Sequence, residues 1–195
     1  LQTSPVVGNP AITGDTANLQ FGQETVDAFE IGAKYDGRNF TLSLAGFYQE
    51  FSNFQLNTFN GSVFVVQNVN SCGTDLSGAD QDASAATGSC NPDDIQPGVV
   101  AKGVEAELSL RPARYLTTNF GLTYADTKYE DNLIGDDSGA PLDPALRLLP
   151  GDNLSNAPEI TATASVSYTP PLGDSGLSGL FYLNTRMTGD YNTGS

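Results

Sequence analysis

The stretch Phe40-Thr41-Leu42-Ser43-Leu44-Ala45-Gly46-Phe47-Tyr48-Gln49 decides the fold of this chain. Phe40, Leu42, Leu44, Gly46 and Tyr48 fall on one parity, and Thr41, Ser43, Ala45, Phe47 and Gln49 on the other. Side chains of a β-strand alternate faces with period two, so this segment has an apolar face ending on an aromatic ring and a smaller, more polar one. Residues 160–168 repeat the pattern, with Ile160, Ala162, Ala164, Val166 and Tyr168 set against Thr161, Thr163, Ser165 and Ser167. Five apolar positions over nine residues match the roughly 9–11 residues of a tilted membrane strand.

Four more segments read the same way. The six predicted strands cover about residues 26–35, 40–52, 101–110, 116–129, 158–168 and 178–191. Their apolar faces include Phe29, Ile31, Ala33 and Tyr35; Val104, Ala106, Leu108 and Leu110; Phe120, Leu122 and Tyr124; and Phe181, Leu183 and Met187. Charges of apolar parity (Asp27, Glu50, Lys102, Asp126) come only toward one end of each strand, clear of a hydrocarbon midplane where each costs about 2–4 kcal/mol. The opposite faces carry Glu30 and Lys34, Glu105 and Glu107, and Asn184 and Arg186 among Gly, Ser, Thr and Ala.

Connections alternate short and long. Short turns fall at 36–39, where Asp36-Gly37 is a hairpin signal, at 111–114 and at 170–176. The long connections are about 53–100 and 130–157. Within the first, Asn57 to Gly61 reads as a turn and Ser62 to Val69 as the return arm of a hairpin standing above the membrane. Residues 1–24, rich in Pro and Gly, read as loop.

Net charge is −15 and the chain has no His. With no basic stripe to neutralise phosphates, nucleic acid is excluded as a partner. Acids cluster in the long connections (Asp75, Asp80, Asp82, Asp93, Asp94; Glu130, Asp131, Asp136, Asp137, Asp143, Asp152), whereas Arg38, Arg111 and Arg114 sit at short turns. Without His the Ser-His-Asp arrangement is impossible, and acids in loops lack the rigid support of a catalytic pair. The reading is therefore of a non-enzyme with no cofactor. Asp80-x-Asp82 and Asp136-Asp137 offer oxygen ligands, but no EF-hand loop accompanies them, so no metal site is assigned. Cys72 and Cys90 share one Gly/Ser/Asp/Ala-rich segment and are expected to be disulfide-bonded. A loop of that size gains about 3 kcal/mol in an oxidising compartment.

Charged residues are 16% of the chain, against roughly a quarter in ordinary globular domains. No window reaches the ~18 apolar residues of a transmembrane helix. Leu1 to Pro5 has neither the basic nor the apolar part of a signal peptide, so the expectation is a mature chain or a piece of a longer one. A soluble, Ser/Thr-rich extracellular β-sandwich also alternates, but its outer face is normally rich in Lys, Glu and Arg. Thr, Ser, Asn, Gly and Ala dominate the polar faces here, which favours an antiparallel up-and-down transmembrane β-barrel segment. Six strands do not close a membrane barrel, and open edges do not face lipid, so further strands are expected beside the first and last.

Ordered motifs carry a family resemblance. Gly8-Asn9-Pro10 followed by Glu24 to Lys34, then Ala45 to Gln55, Lys102 to Leu108, Leu122 to Tyr129 and Asn156-Ala157-Pro158 resemble, in order and spacing, the late barrel strands of TonB-dependent outer-membrane receptors. The resemblance spans about residues 8–192. It implies about a quarter of a barrel of about 22 strands, in the outer membrane of a Gram-negative bacterium, with the long loops extracellular. It also implies outer-membrane lipid, the remaining strands, a plug domain, TonB and a small solute as partners. The implied activity is energy-coupled uptake of a scarce solute such as siderophore-iron, cobalamin or an oligosaccharide. A passive porin or structural barrel is the alternative. Glu30, Lys34, Glu105, Glu107, Asn184 and Arg186 are the lumen-facing candidates for solute or plug contact. The acidic loops imply a neutral or cation-bearing solute, or an anionic one bound through residues outside this segment.

Overall fold

The computed structural model describes residues 22–59, 64–76 and 88–193. Among them the chain is antiparallel β-structure, with two single 3-10 turns at Pro92–Asp94 and Pro144–Leu146. Ten strands form in chain order: β1 Thr25–Asp36, β2 Phe40–Ser52, β3 Phe54–Phe59, β4 Phe64–Cys72, β5 Ile95–Pro97, β6 Val99–Ala113, β7 Leu116–Tyr129, β8 Leu133–Ile134, β9 Ile160–Tyr168 and β10 Phe181–Thr188.

Six of them make one sheet in the order β1-β2-β6-β7-β9-β10, each paired with its neighbour antiparallel. The register aligns the apolar parities across every strand. One row runs Ala33, Leu44, Ala106, Leu122, Ala162, Met187, and the next runs Tyr35, Leu42, Leu108, Phe120, Ala164, Thr185. A one-residue slip at any ladder would break the rows. Nothing among the described residues covers this band: Ile31 is 81% exposed, Phe181 79% and Phe29 67%. A sandwich would bury these side chains against a second sheet. Here every residue of β1 and of β10 is exposed.

The short turns differ in detail from their sequence reading. In the first, Gly37 does not take a left-handed φ. A Cβ there would approach the rings of Tyr35 and Phe40 to 3.0 and 3.1 Å, so its missing side chain lets those rings meet, with centroids 5.3 Å apart. The second is tighter than 111–114. β6 runs on to Ala113 through a register shift after Leu110, where Pro112 has no N–H to give the ladder. The reversal falls at Arg114 and Tyr115, with Tyr115 at φ 70° and the Arg114 guanidinium 4.7 Å from its ring centroid. β10 is shorter than 178–191. Its partner β9 starts only at Ile160, behind Pro158, and beyond the strands the pairing continues only as single bonds, from the Gly189 N–H to the Ile160 carbonyl and from the Asn156 N–H to the Asn192 carbonyl.

The long connections are built structure. β3 and β4 form a hairpin, β5 and β8 add to β4, and this small sheet stands at the long-loop end of the six-stranded one. The reversal expected near Asn57 to Gly61 falls largely outside the described residues, as do most of 1–24 and the Asp80-x-Asp82 pair. The main buried core lies here: Val69, Val99, Tyr129, Leu133, Leu142, Leu146 and Leu149, with Phe51, Phe54, Leu56 and Leu154 packed against it.

Candidate functional site

The polar face of the six-stranded sheet carries all six sequence-predicted candidates. Lys34, Glu107 and Arg186 lie in one cross-strand row, Lys34-Ser43-Glu107-Gly121-Thr163-Arg186, separated by small residues. Asn184 lies in the row Asp36-Thr41-Ser109-Asn119-Ser165-Asn184, where Asn119 Nδ2 donates to Ser165 Oγ at 3.1 Å. Glu105 stands between Ala45 and Thr123, and Glu30 opposite Phe47. Among the described residues no ion pair joins any two of the six. Lys34 instead meets Asp36 at 3.7 Å, and Asn184 Nδ2 donates to Tyr182 Oη at 3.2 Å. The floor between the charges is kept low by glycine. A Cβ on Gly103 would sit 2.1 Å from the Tyr124 carbonyl oxygen and 2.7 Å from the Phe47 ring lying across it.

Toward the long-loop end the same strands exchange the character of their faces. Phe51, Val99 and Tyr129 have the parity of the polar face, yet they turn into the loop core. On the opposite parity the band gives way to charge: Asp126 pairs with Lys102 at 3.6 Å and with Lys128 at 3.3 Å, and Tyr48 Oη donates to Glu50 at 2.8 Å. The two long connections therefore close over the polar side of the wall as one cap.

Three devices hold the cap. First, Asn53, at φ 53°, turns the chain out of β2 into β3. Its N–H donates to Asn70 Oδ1 at 2.7 Å, Asn70 Nδ2 donates back to Asn53 Oδ1 at 2.6 Å, and Asn68 Nδ2 donates to the Asn53 carbonyl at 2.6 Å. Asn68 and Asn70 are buried, so each such bond replaces water that cannot reach them. Second, the Cys72–Cys90 disulfide packs with Ile134, Leu76 and Ile95 in a smaller core. Third, the Cys90 N–H donates to the carbonyl of Gly139, itself at φ 76°, at 2.9 Å across the two connections, and a Cβ on Gly139 would run into the Cys90 carbonyl oxygen. Burial pushes the Tyr129 phenol up to about 12, and the Asp152 carboxylate adds to it. Cys72, Cys90 and Asp94 lie close together, but both sulfurs are bonded to each other and offer no thiolate to a metal.

Beside the wall, Asn156, Pro158, Arg186, Thr188 and Tyr191 line a polar hollow of about 430 Å³ at the long-loop end of β9 and β10. It brings Arg186 together with neighbours from the second long connection that sequence spacing does not link to it.

Comparison with known proteins decides what kind of wall this is. Residues 2–195 match the family model described as TonB dependent receptor-like, beta-barrel. The chain belongs to the TonB-dependent receptor β-barrel family. A search of curated protein sequences finds no match. Among solved structures, the FrpB iron transporter of Neisseria meningitidis (F3-3 variant) is similar over 84% of this chain and 18% of its own, at 16% identity and a TM-score of 0.46. The ferric yersiniabactin uptake receptor FyuA of Yersinia pestis is similar over 85% of this chain and 22% of its own, at 15% identity and a TM-score of 0.48. The chain thus spans about a fifth of the length of each. As a TonB-dependent receptor barrel it is an outer-membrane protein, and its uncovered apolar band is the surface that meets lipid. Among the described residues no helix is long and apolar enough to cross a membrane.

Sequence reasoning missed the cap core and the asparagine set. The signal for the first was present in Leu133-Ile134, Leu142, Leu146 and Leu148-Leu149, which are too apolar for a purely solvated loop. For the second, only the asparagines at 53, 68 and 70 themselves were legible, because the pairing that joins them is a register between strands.

Proposed function

We propose that this chain is a wall-and-cap segment of an outer-membrane receptor that imports a scarce solute by energy-coupled transport. In this reading the polar face lines the lumen and the cap stands outside the cell. Solute is captured at the cap and released past a plug supplied by another part of the receptor and coupled to TonB. The observation that carries it is the exchange of faces along β2, β6 and β7. Six paired strands leave one apolar band open to lipid, while the same strands carry a packed cap over their polar side. A passive pore needs no such built cover. Glu30, Lys34, Glu105, Glu107, Asn184 and Arg186 then face solute or plug.

The test uses the full-length receptor in a strain lacking its own copy. Ferric siderophores, cobalamin and oligosaccharides are supplied in turn as the limiting nutrient, with and without an uncoupler of the inner membrane. Uptake of one class that stops with the uncoupler supports the reading. Uptake that continues assigns a passive pore, and no uptake of any class assigns a structural barrel.

A further inference from the structure

We propose that the hollow beside Arg186 is a subsite for an anionic oxygen group, a carboxylate or a phosphate, on the solute. The proposal rests on the receptor reading and adds the chemistry of one contact to it. In a chain of net charge −15, this hollow is lined without a single acid. Arg186 is its only charged liner, and among the described residues it has no ion-pair partner, whereas Lys34 in the same row is held by Asp36. A guanidinium presents five N–H donors in a planar fork that fits two oxygens of one anionic group at once.

The other liners supply matching polarity. Thr188 and Tyr191 bring hydroxyls and Asn156 a side-chain amide. Asn156 is held in a left-handed backbone conformation at φ 60° by its N–H bond to the Asn192 carbonyl at 2.7 Å, which carries the chain from the cap down into β9 at this point. Arg186 and Thr188 share the polar face of β10 at its long-loop end, the face that the receptor reading turns to the lumen. A solute passing the acidic cap therefore meets its first free cation here. The proposal departs from the expectation that an anionic solute is bound through residues outside this segment.

The experiment measures binding of citrate and of inorganic phosphate to the purified full-length receptor by calorimetry. Arg186→Gln and Arg186→Lys are compared with the parent, and maltotriose serves as an uncharged control. Loss of the bidentate charged contact should weaken citrate, phosphate or both at least ~10-fold in Arg186→Gln. Arg186→Lys should recover part of the loss, and maltotriose should respond equally in all three proteins. Binding of one anion and not the other names which the subsite takes. If neither anion binds the parent, or both bind parent and Arg186→Gln alike, the guanidinium is occupied by the receptor's own plug or by water and the subsite is refuted. Failure of energised uptake in the parent, with the anion difference intact, would remove the transport reading and leave the subsite standing.

Discussion

Placing one arginine on each side of β7 tests the assignment of faces directly. Phe120 and Asn119 are neighbours in sequence with opposite parity. Phe120 lies four residues from Leu116 at one end of the apolar series and four from Tyr124 at the other. With a rise of about 3.4 Å per residue and a tilt of about 40°, each half spans roughly 10 Å of depth. Phe120 therefore sits near the middle of a band close to the ~25 Å of outer-membrane barrels. Arginine at that depth on the lipid side costs about 2–4 kcal/mol, whereas at Tyr124 it should cost about 0–1 kcal/mol. Asn119 faces Ser109 and Ser165 on the polar side, where an arginine stays hydrated and should cost under about 1 kcal/mol. The assay is urea unfolding of the intact receptor in lipid vesicles, read by loss of its heat-modifiable gel migration. The expected order of destabilisation is Phe120→Arg well above Tyr124→Arg and Asn119→Arg. Equal losses at Phe120 and Asn119, or a larger loss at Asn119, would refute the assignment of the lipid face.

Three further outcomes probe the cap. Thiol reagents should leave Cys72 and Cys90 unlabelled without reductant, and Cys72→Ser with Cys90→Ser should speed proteolysis of residues 73–89 while leaving heat-modifiable migration unchanged; full labelling of the untreated protein would contradict the bond. Asn70→Ala leaves the Asn53 N–H without its acceptor and should cost about 1–3 kcal/mol, seen as faster hydrogen exchange through β3 and β4 with β7 unaffected. The Tyr129 phenol, raised from 10.0 to about 12 in the folded cap, should contribute stability that is fully present below about pH 10 and is lost as pH rises toward 12; Tyr129→Phe should abolish that alkaline dependence, and an unchanged profile would place the phenol in water.

The wall was legible in the sequence because its environment is simple. Lipid on one side and polar surroundings on the other impose period two over Phe40 to Tyr48 and over Ile160 to Tyr168, and nothing tertiary is needed to see it. The disulfide was legible for a similarly local reason, since Cys72 and Cys90 are the chain's only thiols. The cap was not legible. Its core joins Val69, Val99, Tyr129 and Leu149, residues brought together by strand order and by the Gly139 crossing, with no shared periodicity. The hollow at Arg186 belongs to the same class: its liners come from β10 and the residues just after it, and from the end of a connection more than a strand away.

The exchange of faces gives this asymmetry a physical basis. Below Glu50, Lys102 and Asp126, the strands put their apolar side outward because hydrocarbon accepts it. Above them water would meet that side, and Lys102 and Lys128 stand there around a half-buried Asp126 in an ion-pair cluster. At the same height Phe51, Val99 and Tyr129 turn the polar side apolar, and only a folded cap can cover them. Period two is kept through the change, so the strands pass from one solvent to the other without a break in the ladder. Cap and wall are consequently one body at β2, β6 and β7. A cap that swung freely would expose Val99 and Tyr129, now 0% and 5% exposed, at a cost of about 1.5–3 kcal/mol for each large apolar side chain. If solute is captured at this end, as proposed, the surface it meets is therefore preformed.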